Sequence, residues 1–157
     1  MKILFVCTAN ICRSVMAEGV MKKLLSAHTG MPMVAVSSAG VDALDGSTPD
    51  RYTIEACDRR GISVGLHPAR QLTREMLEEM DLVLCMEKMH RERIAGAFPQ
   101  FAKNILLLKE YMVGDPPVDA EIGDTIGRSK KHFEKCFNSI EAEIKRIAPL
   151  ILTNTMK

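Results

Sequence analysis

Five residues separate Cys7 from Arg13 in the stretch Val6-Cys7-Thr8-Ala9-Asn10-Ile11-Cys12-Arg13-Ser14, and the apolar run Ile3-Leu4-Phe5-Val6 leads straight into the thiol. A nucleophilic sulfur and a guanidinium that close can serve the same anion. The planar fork of Arg13 matches two oxygens of a phosphate or another tetrahedral oxyanion. The backbone N–H groups of Thr8, Ala9, Asn10, Ile11, Cys12, Arg13 and Ser14, curled ahead of a helix, form an anion cradle. A thiol facing those donors is placed to act as a thiolate beneath the phosphorus atom. The chemistry this suits is in-line attack on a phosphate ester to give a phosphocysteine. Charge on the equatorial oxygens is then held by the cradle and Arg13. Ser14 is placed to donate a hydrogen bond to the sulfur and ease its later departure.

Such a loop has to be held by a strand before it and a helix after it. Residues 2–6 read as a buried strand, and Val15 to Ala27 as a helix with Met16, Val20, Met21, Leu24 and Leu25 at helical spacing. Val34 to Val36 reads as a second strand running into Ser37-Ser38-Ala39-Gly40. A helix over about 50–60 is stopped by Gly61, and Thr73 is placed to cap another. Leu82 to Cys85 and Ile105 to Leu108 read as further strands with a helix to about Ala95 between them. A last helix starting at Ser129 sets Phe133, Phe137, Ile140, Ile144 and Ile147 on one face. Strands alternating with helices predict an α/β fold: a three-layer, doubly wound, four-stranded parallel sheet with helices on both faces and the phosphate-binding loop after strand 1. The expected organisation is a single domain over 1–150, with 151–157 a frayed tail.

The 157-residue chain carries a net charge of +1, with 26% charged and 46% hydrophobic residues, so nothing in its composition argues for nucleic acid or a membrane surface as a partner. The N-terminal apolar run is too short for a signal-peptide core. The 5 cysteines are odd in number and scattered, without metal-ligand spacing. They read as reduced thiols in a cytoplasmic protein, with Cys57, Cys85 and Cys136 as small buried hydrophobes. No oligomeric state follows from the sequence.

The loop Cys7 to Ser14, followed by Met16-Ala17-Glu18, resembles the signature of the low-molecular-weight protein tyrosine phosphatases. The resemblance continues through Ser38-Ala39-Gly40, His67-Pro68-Ala69-Arg70-Gln71-Leu72-Thr73 and Asp81-Leu82-Val83-Leu84-Cys85-Met86-Glu87 into the last helix. It implies Cys7 as nucleophile, Arg13 as phosphate clamp and Asn10 as the residue that shapes the loop. Ser14 and Ser38 would join its hydrogen-bond network, and His67 would support it from behind. Cys12 would lie near enough to Cys7 for a reversible protective disulfide. No metal or cofactor is required, and the partner would be a phosphotyrosine-containing protein or a small aryl phosphate.

A general acid must also protonate the leaving oxygen. The family carries it as an Asp-Pro near the C-terminal end, which at first suggests Asp115-Pro116. However, Asp115 follows Tyr111 too closely for the family's pattern. The family acid also stands nine residues before one aromatic of the last helix and thirteen before a second, and counting back from Phe133 and Phe137 gives Asp124 both times. Asp124 is therefore the expected acid, with Asp115, Asp119 and Glu121 in a solvated loop. The chain departs from the family in having Ala9 for Gly, Val15 for Pro at the helix start and Thr125 for the Pro after the acid. Leu44 and Ile126 stand where aromatics usually wall the substrate ring, which forfeits stacking. Ile11 matches tyrosine-directed members better than the related phosphoarginine phosphatases, which resemble one another in having Thr there. Two alternatives share the loop: a thiol-dependent arsenate reductase, which needs further cysteines to relay oxidation, and a non-catalytic anion-binding or regulatory module.

Overall fold

The computed structural model describes residues 1–28 and 33–155. Four parallel strands, β1 (Lys2–Cys7), β2 (Ala35–Gly40), β3 (Leu82–Cys85) and β4 (Ile105–Leu107), form one sheet in the order β2-β1-β3-β4. The helices are α1 (Arg13–Ser26), α2 (Arg51–Asp58), α3 (Arg74–Glu79), α4 (Lys88–Ala97) and α5 (Lys130–Thr155). The doubly wound sheet expected from the alternation of strands and helices is the one observed. Among the described residues no helix is long and apolar enough to cross a membrane.

Both faces of β1 are buried, as a central parallel strand requires, and its side chains divide by the two-residue period. Ile3, Phe5 and Cys7 join the core formed with α1, α2 and α5 through Val15, Met16, Ala56, Phe133, Ile140 and Ile144. Leu4 and Val6 join a second core with Leu77 of α3 and Ile94 of α4. The chain leaves β1 for β2 on one side, and β3 lies on the other. The carboxyl end of β1 is thus the topological switch point, where an open α/β sheet leaves a crevice for a ligand.

Three boundaries differ from expectation, each with a consequence. First, α1 starts at Arg13, with Cys12 as its N-cap, so Arg13 and Ser14 are already helical and Val15 is the third helical residue. Val15 is still in the first turn, since the first bond within the helix runs from Met16 N–H to Cys12 O. A proline at Val15 would lose no helix hydrogen bond, so valine gives up only rigidity. Second, β2 extends to Gly40, and Cys7 pairs in register with Gly40, so Ser38 and Ala39 lie within the sheet. Third, residues 151–155 are not frayed. Helix α5 runs past Pro149 to Thr155, with Ile151 wholly buried and Leu152 nearly so. The apolar stripe Ile140, Ile144, Ile147, Ile151 keeps helical spacing across the proline, and its burial outweighs the one hydrogen bond that proline removes. Residues 156 and 157, the rest of that expected tail, lie outside the described residues.

Candidate active site

Cys7 ends β1 with its side chain almost wholly buried, and the chain then turns through Thr8–Cys12 into α1. The turn is fastened to its neighbours by backbone bonds. Val41 N–H donates to Cys7 O at 3.0 Å, Asp42 N–H to Thr8 O at 2.9 Å, and Asp50 N–H to Ile11 O at 2.9 Å. The left-handed backbone conformation falls on Asn10 (φ 55°) and not on Ala9, so the methyl group of Ala9 is no strain on the loop. The close approach is made instead by Gly40. A Cβ there would stand 2.4 Å from Thr8 O and 3.0 Å from Ala9 C.

Asn10, fully buried, is the hub beneath the loop. Its Nδ2 donates to Ser14 Oγ at 2.8 Å and to Ser38 Oγ at 2.9 Å. Its Oδ1 accepts from Arg70 N–H at 2.9 Å and from His67 Nε2 at 3.1 Å. An amide oxygen only accepts, so His67 carries its proton on Nε2 in this arrangement. The Ser38 hydroxyl in turn donates a hydrogen bond to the Glu18 carboxylate. Since Ser14 Oγ already accepts from Asn10, its hydroxyl proton is available for Cys7 Sγ, 3.0 Å away. Burial lowers the pKa of His67, with the Glu18 carboxylate opposing.

The guanidinium of Arg13 is as buried as the core. Its Nη1 donates to Glu87 Oε1 at 2.5 Å and to Ile122 O at 2.8 Å. Nη2 lies 3.5 Å from Thr8 Oγ1 and 3.5 Å from Asp124 Oδ1. The buried Nε–H has no protein partner among the described residues. One edge of the fork is clamped, and the other retains donors for two oxygens.

Asp124 reaches this arginine while keeping its side chain 47% exposed, and its Oδ1 accepts Ile126 N–H at 3.1 Å. Among the described residues Asp115 makes no hydrogen bond or ion pair with the site. Thr125 is buried, and its carbonyl accepts Arg128 N–H at 2.9 Å, so the segment after Asp124 closes into a turn without proline. Glu121 is not simply solvated, for its Oε1 accepts Lys88 N–H at 2.8 Å in the first turn of α4. Leu44 is 78% exposed and Ile126 47% exposed, leaving both free for contact with a ligand. All five cysteines are free thiols, Cys7 and Cys12 included. Burial pushes the Cys12 thiol up to about 12, against a smaller pull from the Thr53 hydroxyl.

Two further side chains, to which the sequence assigned no role, stand in this network. Glu87, just beyond β3, holds Arg13, and His90 in α4 bonds Thr8 Oγ1 at 2.9 Å. Glu87 carried a usable signal, since an acid just past the carboxyl end of the strand beside β1 has to lie near the switch point. For His90 the only signal was its place three residues further, in the first turn of the following helix.

The fold and site together define a class: a doubly wound α/β protein with a buried thiol and a half-clamped guanidinium at an anion cradle. The sequence model described as low molecular weight phosphotyrosine protein phosphatase matches residues 2–156, and the chain belongs to that family. Among its relatives, the protein-arginine-phosphatase of Bacillus subtilis is 33% identical over 148 residues, covering 94% of this chain and 95% of that protein. The low molecular weight protein-tyrosine-phosphatase Etp of Escherichia coli is 32% identical over 139 residues, covering 88% and 86%. The crystal structure of the tyrosine phosphatase Wzb from Escherichia coli K30, in complex with sulphate, superposes with a TM-score of 0.82 at 29% identity, covering 96% of this chain and 97% of that one.

Proposed function

We propose that this protein hydrolyses phosphomonoesters, phosphotyrosine in proteins foremost, through a phosphocysteine on Cys7. The observation that carries the reading is the state of Arg13. Its Nη1 edge is fixed by Glu87 and Ile122 O, while its buried Nε–H is left for a ligand oxygen. Burying such a donor without a partner costs about 1–3 kcal/mol, a cost that a bound oxyanion removes.

In the proposed reaction Cys7 Sγ attacks phosphorus in line as the ester P–O bond breaks. Arg13 Nε–H and Nη2–H, with the loop N–H groups, hold the equatorial oxygens. Asp124, on the open side of the site and 3.5 Å from Nη2, gives its proton to the leaving oxygen. Asp124 then takes a proton from water, the water oxygen bonds phosphorus, the S–P bond breaks, and Ser14 O–H supports the returning thiolate. Leu44 and Ile126 serve as aliphatic walls for the aryl ring. Ile11, which offers no hydrogen bond, favours an aryl ester over the polar guanidinium of phosphoarginine. A catalytic thiol among four further free cysteines suits a reducing compartment, so a cytoplasmic location goes with the reading.

Neither alternative gains comparable support. Relay of oxidation needs accessible, reactive thiols, whereas Cys57, Cys85 and Cys136 are buried with their thiols pushed up to about 12. A non-catalytic module would need a loop weakened by Ala9 or by the missing proline at Thr125, yet Ala9 is not at positive φ and the turn at Thr125 closes through Arg128 N–H. The test is rapid-quench kinetics with an aryl phosphate. A burst of phenol equal to the enzyme, and a phosphoryl adduct mapped to Cys7, are expected. Binding of inorganic phosphate with no released product would leave the anion-binding module instead.

A further inference from the structure

Helix α4 sends a side chain to the cradle that the reaction above does not use. His90 is wholly buried in the first turn of α4, with Nε2 2.9 Å from Thr8 Oγ1 and Nδ1 3.1 Å from the backbone N–H of Glu87. A backbone N–H can only donate, so Nδ1 is the acceptor and the ring proton of the neutral imidazole sits on Nε2. Burial, aided by the nearby Arg13 charge, lowers the pKa of His90 to about 4 and keeps the ring neutral. Nε2–H therefore donates to Thr8 Oγ1. The same oxygen lies 3.5 Å from Arg13 Nη2, which also can only donate. With both lone pairs of the hydroxyl facing donors, its proton has no acceptor among the described residues and points away from them.

We propose that the Thr8 hydroxyl is a side-chain donor of the cradle, and that His90 is the positioning residue that aims it. With a phosphoryl group bound, Thr8 O–H donates to the oxygen held by Arg13 Nη2. This rests on the phosphatase reading and adds to it a contact that the loop amides and Arg13 do not supply. The bond from His90 is what fixes the direction, because a threonine hydroxyl left alone rotates to suit its neighbours. If the Thr8–His90 bond only tied the loop to α4, its loss would lower stability and leave oxyanion affinity unchanged.

The experiment measures the competitive inhibition constant of inorganic phosphate, together with kcat and KM for a phosphotyrosyl peptide and the melting temperature, on the full chain. Thr8→Val, which keeps the shape and loses the donor, is expected to weaken phosphate binding about tenfold, the scale of one hydrogen bond to a charged group. Thr8→Ser restores binding to within about twofold of wild type. His90→Gln, whose amide N–H can stand where Nε2 stood, is expected to bind near wild type. His90→Asn, which cannot reach, should fall towards Thr8→Val, and the double variant Thr8→Val/His90→Asn should bind no more weakly than Thr8→Val alone. Should His90→Asn fail to fold, the Thr8→Val and Thr8→Ser pair still decides. Thr8→Val that binds phosphate like wild type, whatever its melting temperature, overturns the donor role while leaving the phosphatase reading standing. Losses that simply add in the double variant overturn the positioning role. A wild-type chain that neither binds phosphate nor cleaves the ester overturns both.

Discussion

At the scale of single residues the site depends on what is left unbonded as much as on what is bonded. Arg13 Nη1 is occupied by Glu87 and Ile122 O, so the guanidinium cannot turn, and its Nε–H is held ready without rearrangement. Ser14 is arranged the same way, since the amide of Asn10 takes its lone pair and leaves its proton for sulfur. The choice between the two aspartates also belongs here. Asp124→Ala is expected to lower kcat by about 10²–10⁴, and Asp115→Ala to stay within roughly twofold of wild type, in steady-state assays of an aryl phosphate. Ala9→Gly should leave kcat/KM nearly unchanged and lower stability by about 0.4–1 kcal/mol, because the left-handed conformation belongs to Asn10 and glycine at an unstrained position only adds freedom to the unfolded chain. A large gain from Ala9→Gly would show that the methyl group does crowd the cradle. Cys7, Asn10, Arg13 and Ser14 were legible in the sequence because eight consecutive residues carry them. The bonds of Glu87 and His90 were not, because each meets its partner across a sequence separation of more than 70 residues, and only the place of Glu87 just past β3 hinted that it lies near the site.

At the scale of elements the loop takes its shape from β2 as well as from its own residues. Gly40 sits in register with Cys7 and lets the Thr8 carbonyl pass at a distance no other side chain allows. Gly40→Ala is expected to destabilise the fold by about 1–3 kcal/mol in urea titration and to lower kcat/KM as well, since the clash is with backbone and not with a side chain that can move. Helix α5 supplies the opposite lesson. Its apolar spacing is readable through Ile147 and 151–157 are expected to fray, yet Ile151 is buried one turn further. Ile151→Ala should therefore cost about 2–5 kcal/mol, as in a core, where a frayed tail would lose almost nothing. The signal was the spacing of Ile147 and Ile151, which continues the apolar stripe across Pro149 and whose burial outweighs the cost of the proline.

At the scale of the whole molecule the alternation of apolar runs and amphipathic stretches was enough to give the sheet, its winding and the site at the switch point. Chain order and the handedness of parallel crossovers leave few other solutions. What the alternation could not give is how the far elements close over the loop, with α4, the segment around Ile122 and Asp124, and the turn at His67–Arg70 all converging on it. That convergence makes stability depend on pH. Burial and the Arg13 charge lower His90 from 6.5 to about 4 against the opposing pull of Asp124 and Glu121, so the unfolded chain takes up the proton first. Stability from this group is full above about pH 6.5 and is lost as pH falls towards 4; His67, also lowered, acts in the same sense. Urea titrations at roughly pH 7 and pH 5 are expected to show wild type losing on the order of 1–2 kcal/mol more than His90→Gln between the two. An equal loss in both proteins would place that histidine in a less perturbed environment.

The most direct test of the central claim is the release of inorganic phosphate from a phosphotyrosyl peptide at mildly acidic pH under reducing conditions, with wild type beside Cys7→Ser. Turnover in wild type that disappears in the variant, while both proteins melt alike, is the expected result. No turnover in wild type, or equal turnover in the variant, would contradict catalysis by the Cys7 thiol.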